Sequence, residues 1–192
     1  MKIIGVSGFI GSGKSTMLEH LSENPRIKVI EADKISKYVI YNKKILNFLK
    51  KFIPNSIENE KIERTVLRSE LFNNHKLNEK FTKVAWPLIS KEINLLIKKE
   101  INSDLIFVEA AVISGIKVKF DKTILLVKDN SQRIDRVRNR DNRDLKEIDS
   151  ITEFQFKKLR KYKFDYILEN NSDKQSFFKS IDDLIEKIKS ED

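Results

Sequence analysis

A chain of 192 residues with 40% apolar side chains is long enough for one ordinary hydrophobic core and too apolar to be disordered by composition. It has no cysteine, which excludes disulfides, thiolate metal sites and cysteine nucleophiles, and no apolar run nears the ~18–20 residues that span a bilayer. The net charge of +9 comes mostly from lysines scattered along helical segments, not from a basic patch interleaved with stacking aromatics, and so does not argue for nucleic acid.

Met1-Lys2-Ile3-Ile4-Gly5-Val6 runs straight into glycines with no small-residue cleavage site, so it reads as a strand and not as a signal peptide. Residues 2–7 form this first buried strand, and a helix follows from about Lys14 to Ser22. Pro25 marks a turn, Ile27 to Ile30 a second strand, and Glu31-Ala32-Asp33 its end. Helical segments are expected at 34–40 and 43–52, with a break at Pro54. The stretch 61–101 reads as helical with a turn near Asn73-Asn74, and Pro87 should kink or restart it. Leu105 to Val108 and Thr123 to Val127 are strands three and four. A charged, Arg-rich helix–loop–helix spans 131–161, and Tyr166 to Leu168 is a fifth strand. The last helix carries an apolar stripe of Phe177, Ile181, Leu184, Ile185 and Ile188. Strands alternating with helices indicate an α/β fold with a doubly wound parallel sheet of about five strands. One domain over 1–192 is expected, monomeric and cytoplasmic, meeting neither membrane nor nucleic acid.

Gly8-Phe9-Ile10-Gly11-Ser12-Gly13-Lys14-Ser15-Thr16 fits Gly-x-x-x-x-Gly-Lys-[Ser/Thr], the phosphate loop of P-loop NTPases. Backbone N–H groups must converge on phosphate oxygens there, so small residues with unusual φ are needed. The helix that follows aims its N-terminal N–H groups and dipole at the anion. Lys14 adds a point charge for the β- and γ-phosphates, and the Ser15 hydroxyl can hold Mg²⁺. With average glycine near 7%, chance yields the pattern in roughly one chain of this length in a hundred. Four of the chain's five glycines fall in residues 5–13, which a flexible turn would not require. The loop is therefore assigned to ATP with Mg²⁺, through Gly8, Gly11, Ser12, Gly13, Lys14, Ser15 and Thr16.

GTPase motifs are missing, since Gly115 is the only later glycine and Asn42-Lys43-Lys44-Ile45 lacks an aspartate. A small-molecule kinase remains, and it needs an acceptor-side base, an Mg²⁺ carboxylate and lid arginines. Asp33 lies just past the second strand, where open α/β sheets place ligands; it is either the base or the N-cap of a helix starting at Lys34. Glu109, ending the third strand, is either a carboxylate for Mg²⁺ or a solvated strand-end acid. Arg136 and Arg140 share one helix face at i, i+4 and could stabilise a transferring phosphoryl group.

Taken together, these segments resemble the dephospho-CoA kinase family over nearly the whole chain. The opening strand and loop, Ile4 to Thr16, are similar to that family's. Glu31-Ala32-Asp33-Lys34-Ile35 resembles its Asp-Ala-Asp-x-Ile segment, and Glu63-Arg64 with Leu67-Arg68 and Phe72 its Asp-Arg-x-x-Leu helix. Trp86-Pro87-Leu88-Ile89 is similar to its His-Pro-x-Ile signature, and Arg136 to Asp141 to its lid helix. Gln155 and the Phe164 to Asn170 strand also correspond. Departures are Phe9 for a glycine, Trp86 for the histidine, and Glu109-Ala110-Ala111-Val112-Ile113-Ser114 where the family has Asp-x-Pro-Leu-Leu-x-Glu. The resemblance implies transfer of a phosphoryl group from ATP to the ribose 3′-hydroxyl of dephospho-CoA. Asp33 would be the acceptor-side base, Ser15 and Glu109 would serve Mg²⁺, and Lys14, Arg136 and Arg140 would hold the phosphates. Helices over 55–100 would wall the acceptor pocket, and 131–161 would be the lid.

Overall fold

The computed structural model describes residues 1–59, 61–141 and 144–191, with the backbone alone for Arg140 and Asp141. Five parallel strands form the sheet, in the order β2-β5-β1-β6-β7: β1 (Lys2–Gly8), β2 (Ile27–Glu31), β5 (Leu105–Glu109), β6 (Lys122–Val127) and β7 (Tyr166–Glu169). The order is that of a doubly wound sheet, as the alternating pattern predicts. Every residue of β5 is buried, as expected of a parallel strand covered on both faces.

The strand period of two divides the core. Leu105 and Phe107, with Ile4, Val6, Ile124 and Leu126, pack on one face against helix α1 (Lys14–Ser22) and helix α8 (Lys174–Ser190). That layer takes in Met17, Leu21, Phe177, Ile181 and Ile188, so the C-terminal apolar stripe is core. Ile106 and Val108 point to the other face. There they meet α2 (Ala32–Val39), α3 (Lys43–Phe52), α4 (Arg64–Asn73) and α5 (His75–Lys99). The charged segment forms α6 (Asn130–Asp141) and α7 (Leu145–Leu159).

Three local expectations are corrected. Ile57–Glu58 and Lys61–Ile62 are not helical: as β3 (Ile57–Glu58) and β4 (Lys61–Ile62) they make a small antiparallel pair. Asn59 takes a positive φ of 46° in its turn, which asparagine tolerates better than most residues, and the Ile57–Ile62 pair buries Ile62. Helix α5 does not restart at Pro87 but runs on for 25 residues. Buried Ala85, Ile89, Ile93 and Ile97 hold it through the missing hydrogen bond. Helix α2 begins at Ala32, so Glu31 is its N-cap position and Asp33 lies in the first turn.

Candidate active site

The carboxyl ends of β1, β2 and β5 open onto one cavity of ≈ 560 Å³. Its phosphate-loop side is made by Gly11, Gly13, Lys14 and Ser15. Gly13 is the N-cap of α1, at φ +104°, and no side chain caps the helix. A methyl added at Gly13 would fall 2.2 Å from Asn170 Nδ2, so the loop's approach to β7 demands glycine as well. Gly11, at φ +82°, faces Val137 and the Arg133 carbonyl of α6 just as tightly.

The other loop residues stand behind this surface. Ser12 donates its N–H to the Phe9 carbonyl at 3.1 Å, and its hydroxyl is fully buried without a partner. Its carbonyl accepts from Asn170 Nδ2 at 2.9 Å. The Gly8 carbonyl accepts from Lys14 Nζ at 2.7 Å, and that of Phe9 at 3.2 Å. Thr16 Oγ1 accepts from Arg136 Nη2 at 2.9 Å, which brings Arg136 to the start of α1 and to the cavity edge. The side chain of Arg140 lies outside the described residues.

Opposite the loop stand three acids, Glu31, Asp33 and Glu109. Parallel register explains two of them, since Glu31 and Glu109 are paired last residues of adjacent strands. Asp33 follows in the first turn of α2, exposed to the cavity and without a capping hydrogen bond. Glu109 is only 6% exposed, so it is no solvated strand-end acid. Burial pushes its carboxyl up to about 7; the nearby Lys14 charge opposes this, and the charges of Asp33 and Glu31 add to it. A buried acid of that affinity, set among two others and a lysine, is the arrangement expected of a functional site.

The distal wall comes from α4 and α5 on one side and α7 on the other. Arg64 and Arg68 bring charge, Leu67, Phe72 and Phe81 apolar surface, and α7 contributes Phe154 and Gln155. Arg68 Nε lies 3.2 Å from Glu147 Oε1, tying α4 to α7. Residues 110–113 of the altered segment are an apolar floor: Ala111 and Val112 line the cavity, and Ile113 is buried. Trp86 fills the space beneath it, so close to Gly115 that a methyl there would lie 2.2 Å from the ring. Trp86 is thus a packing residue for this floor.

Residue patterns gave no role to Glu31, Arg133 or Gln155. Gln155 Oε1 accepts the Ile10 N–H at 2.9 Å, and Arg133, 3% exposed, donates to the Ile10 carbonyl at 3.0 Å. Arg133 precedes Arg136 by one helical turn, and that spacing was the one available signal for it. Glu31 could be found only through the register of two strands.

The donor set suits Mg²⁺. Among the described residues no group of three or more acidic or histidine side chains forms a self-sufficient metal cage. Hard oxygens from one hydroxyl and one or two carboxylates, completed by substrate phosphates, are what Mg²⁺ takes in nucleotide enzymes.

Comparison with known proteins gives the family and the fold. Residues 2–176 match the sequence model of the dephospho-CoA kinase family, CoaE. Dephospho-CoA kinase of Fusobacterium nucleatum subsp. nucleatum is 32% identical over 192 residues, covering 97% of this chain and 98% of its own. Among solved structures, dephospho-CoA kinase from Campylobacter jejuni superposes with a TM-score of 0.58 at 25% identity, covering 97% of both chains. A Thermus thermophilus protein shares the fold more closely, at a TM-score of 0.78 and 20% identity over 97% of each chain.

Proposed function

The chain belongs to the dephospho-CoA kinase family, a transferase family that converts ATP and dephospho-CoA to ADP and coenzyme A, and from that premise we propose how its residues divide the work. Gly11, Gly13 and the first turn of α1 receive the β- and γ-phosphates through N–H groups and the helix dipole. Lys14 Nζ, now on the Gly8 and Phe9 carbonyls, transfers to the phosphates when they arrive. Arg136, held on Thr16, places its guanidinium beside them, with Arg140 one turn further along α6.

Asp33 orients the ribose 3′-hydroxyl and takes its proton as the oxygen bonds to the γ-phosphorus and the bond to the β-phosphate oxygen breaks. Ser15 and Glu109 would hold Mg²⁺, which would supply positive charge against that of the phosphates. The Lys14 charge, which opposes the upward push of burial on Glu109, favours the carboxylate form that a ligand to the ion would need. Helices α4 and α5 form the acceptor-side wall, and α6 with α7 the lid that excludes water.

The observation that carries this reading is the single cavity shared by the phosphate loop and Asp33, a donor site facing an acceptor base. Its test is an acceptor panel: purified protein with ATP and Mg²⁺, assayed for ADP release with dephospho-CoA, nucleoside monophosphates and no acceptor. ADP release with dephospho-CoA, and a product heavier by one phosphate, is expected. Turnover with a nucleoside monophosphate and none with dephospho-CoA would overturn it.

A further inference from the structure

Arg133 is a charged side chain that the fold buries, among the described residues, without an anionic partner. It is 3% exposed, and among the described residues no carboxylate lies within ion-pair distance of it. Burial lowers its proton affinity from the ordinary guanidinium value, with Asp149 opposing from a distance. Desolvating a cation against neutral acceptors alone is unfavourable, so the groups that surround it need explaining.

Those groups hold Arg133 against one residue of the phosphate loop, Ile10. Arg133 Nη1 donates to the Ile10 carbonyl at 3.0 Å and to Thr152 Oγ1 of α7 at 3.1 Å, and Nη2 donates to Asn130 Oδ1 at 3.2 Å. The guanidinium carbon lies 5.9 Å from the centre of the Phe9 ring, a cation–π approach. On the other side of the same residue, the Ile10 N–H donates to Gln155 Oε1 at 2.9 Å. The Arg133 carbonyl and the Val137 side chain close on Gly11. Phe9, which stands where the resemblance expects glycine, thereby gains a partner: its ring faces the buried guanidinium.

We infer that Arg133 is a positioning residue for nucleotide binding: with Phe9 and Gln155 it clamps the Phe9–Ile10 stretch to α6 and α7, so that the loop's anion-binding shape exists only while that hairpin is docked. This rests on the proposed donor role of the loop. A rigid fork that satisfies a loop carbonyl and a side chain of α7 at once couples the two elements. Its fixed charge behind the loop also adds to the potential that phosphates meet in front. Loop shape and hairpin position are then one equilibrium, and ATP stabilises both together.

The test is the split between the two substrates. Arg133→Met keeps the apolar stem and removes charge and fork. It should raise KM for ATP by about 10- to 100-fold, the range of a lost charged hydrogen bond, and leave KM for dephospho-CoA within about two-fold of the parent. Arg133→Lys, which restores charge but not the fork, should recover less than half of that loss on a logarithmic scale. A merely structural role would lower the thermal midpoint and leave both KM values unchanged well below it. A folded Arg133→Met protein with KM for ATP within two-fold of the parent overturns the inference. Should that protein not fold, Thr152→Val and Phe9→Leu carry the test. Each should raise KM for ATP about two- to five-fold, and no change in either overturns it equally. Calorimetric ATP titration of the same proteins keeps the result readable if the parent turns over no dephospho-CoA, a failure that would count against the proposed function instead.

Discussion

Replacing Glu109 by glutamine should stabilise the unliganded protein in neutral to alkaline buffer while removing most of its activity. Glu109 is 6% exposed, and its carboxyl is pushed from the ordinary 4.5 up to about 7, chiefly by burial. The folded state therefore holds this proton more tightly than the unfolded chain does. Linkage then fixes the sign: this group's contribution to stability is unaltered below pH about 4.5, declines as pH rises to about 7, and is flat above. At about 1.4 kcal/mol for each tenfold change in proton affinity, the ionised form destabilises the fold by at most about 3.5 kcal/mol. In a chain of this size each kcal/mol moves the thermal midpoint by roughly 2–4 °C, for a ceiling of about 7–14 °C. Glutamine escapes the titration, though its amide donors need partners in the same buried site, so its absolute midpoint is less informative than the pH trend. The measurement is thermal unfolding of both proteins by circular dichroism without nucleotide, from pH 5 to 8.5. All other titrating groups are common to both and cancel in the difference. The midpoint of the variant should gain on the parent by roughly 3–10 °C between pH 5 and 8, and ADP release should fall by about 10²-fold or more. A difference that stays constant with pH, or a parent that gains on the variant as pH rises, would refute the reasoning.

Asp33→Asn should lower turnover by about 10²–10⁴ while ATP affinity, followed by calorimetry, changes no more than a few-fold; unaltered ADP release would remove Asp33 from the base role. Gly13→Ala puts a side chain at φ +104° and 2.2 Å from Asn170 Nδ2. It should destabilise the fold by about 1–3 kcal/mol and abolish ATP binding, and a titration like the parent's would show the loop is not held as described. Gly115→Ala drives a methyl into the Trp86 ring and should be destabilised by about 1–3 kcal/mol in urea unfolding. Adding Trp86→Leu should recover part of that loss, and strictly additive effects would argue against the contact.

The phosphate loop was legible because its demands are local: small residues, a lysine and a helix start, all within nine positions. The strands were legible because a parallel strand covered on both faces is a continuous apolar run, as Leu105 to Val108 shows. Ile57–Glu58 and Lys61–Ile62 were misread because two-residue strands carry no usable period, and the Ile57–Ile62 pair is seen only once the turn at Asn59 is known. Glu31 and Glu109 read as two unrelated acids, since their proximity is fixed by the register between β2 and β5 and not by spacing. Phe9 looked like a blemish in the loop, because its partner Arg133 is far along the chain and was hidden in a run of arginines that reads as a solvated face.

The place of β1 in the sheet bears on the order in which this chain can acquire its activity. β1 is the middle strand, and its neighbours are β5 and β6, so Lys2 pairs with Leu105 and Ile4 with Lys122. Closing pairs roughly a hundred residues apart is entropically slow and waits on the chain between them. Phe9 and Ile10 then wait longer still, for Arg133 and Gln155. The glycine-rich signature is thus made more than a hundred residues before its walls. During synthesis the nascent chain carries the motif long before it carries a site, and nucleotide can favour only the nearly finished fold.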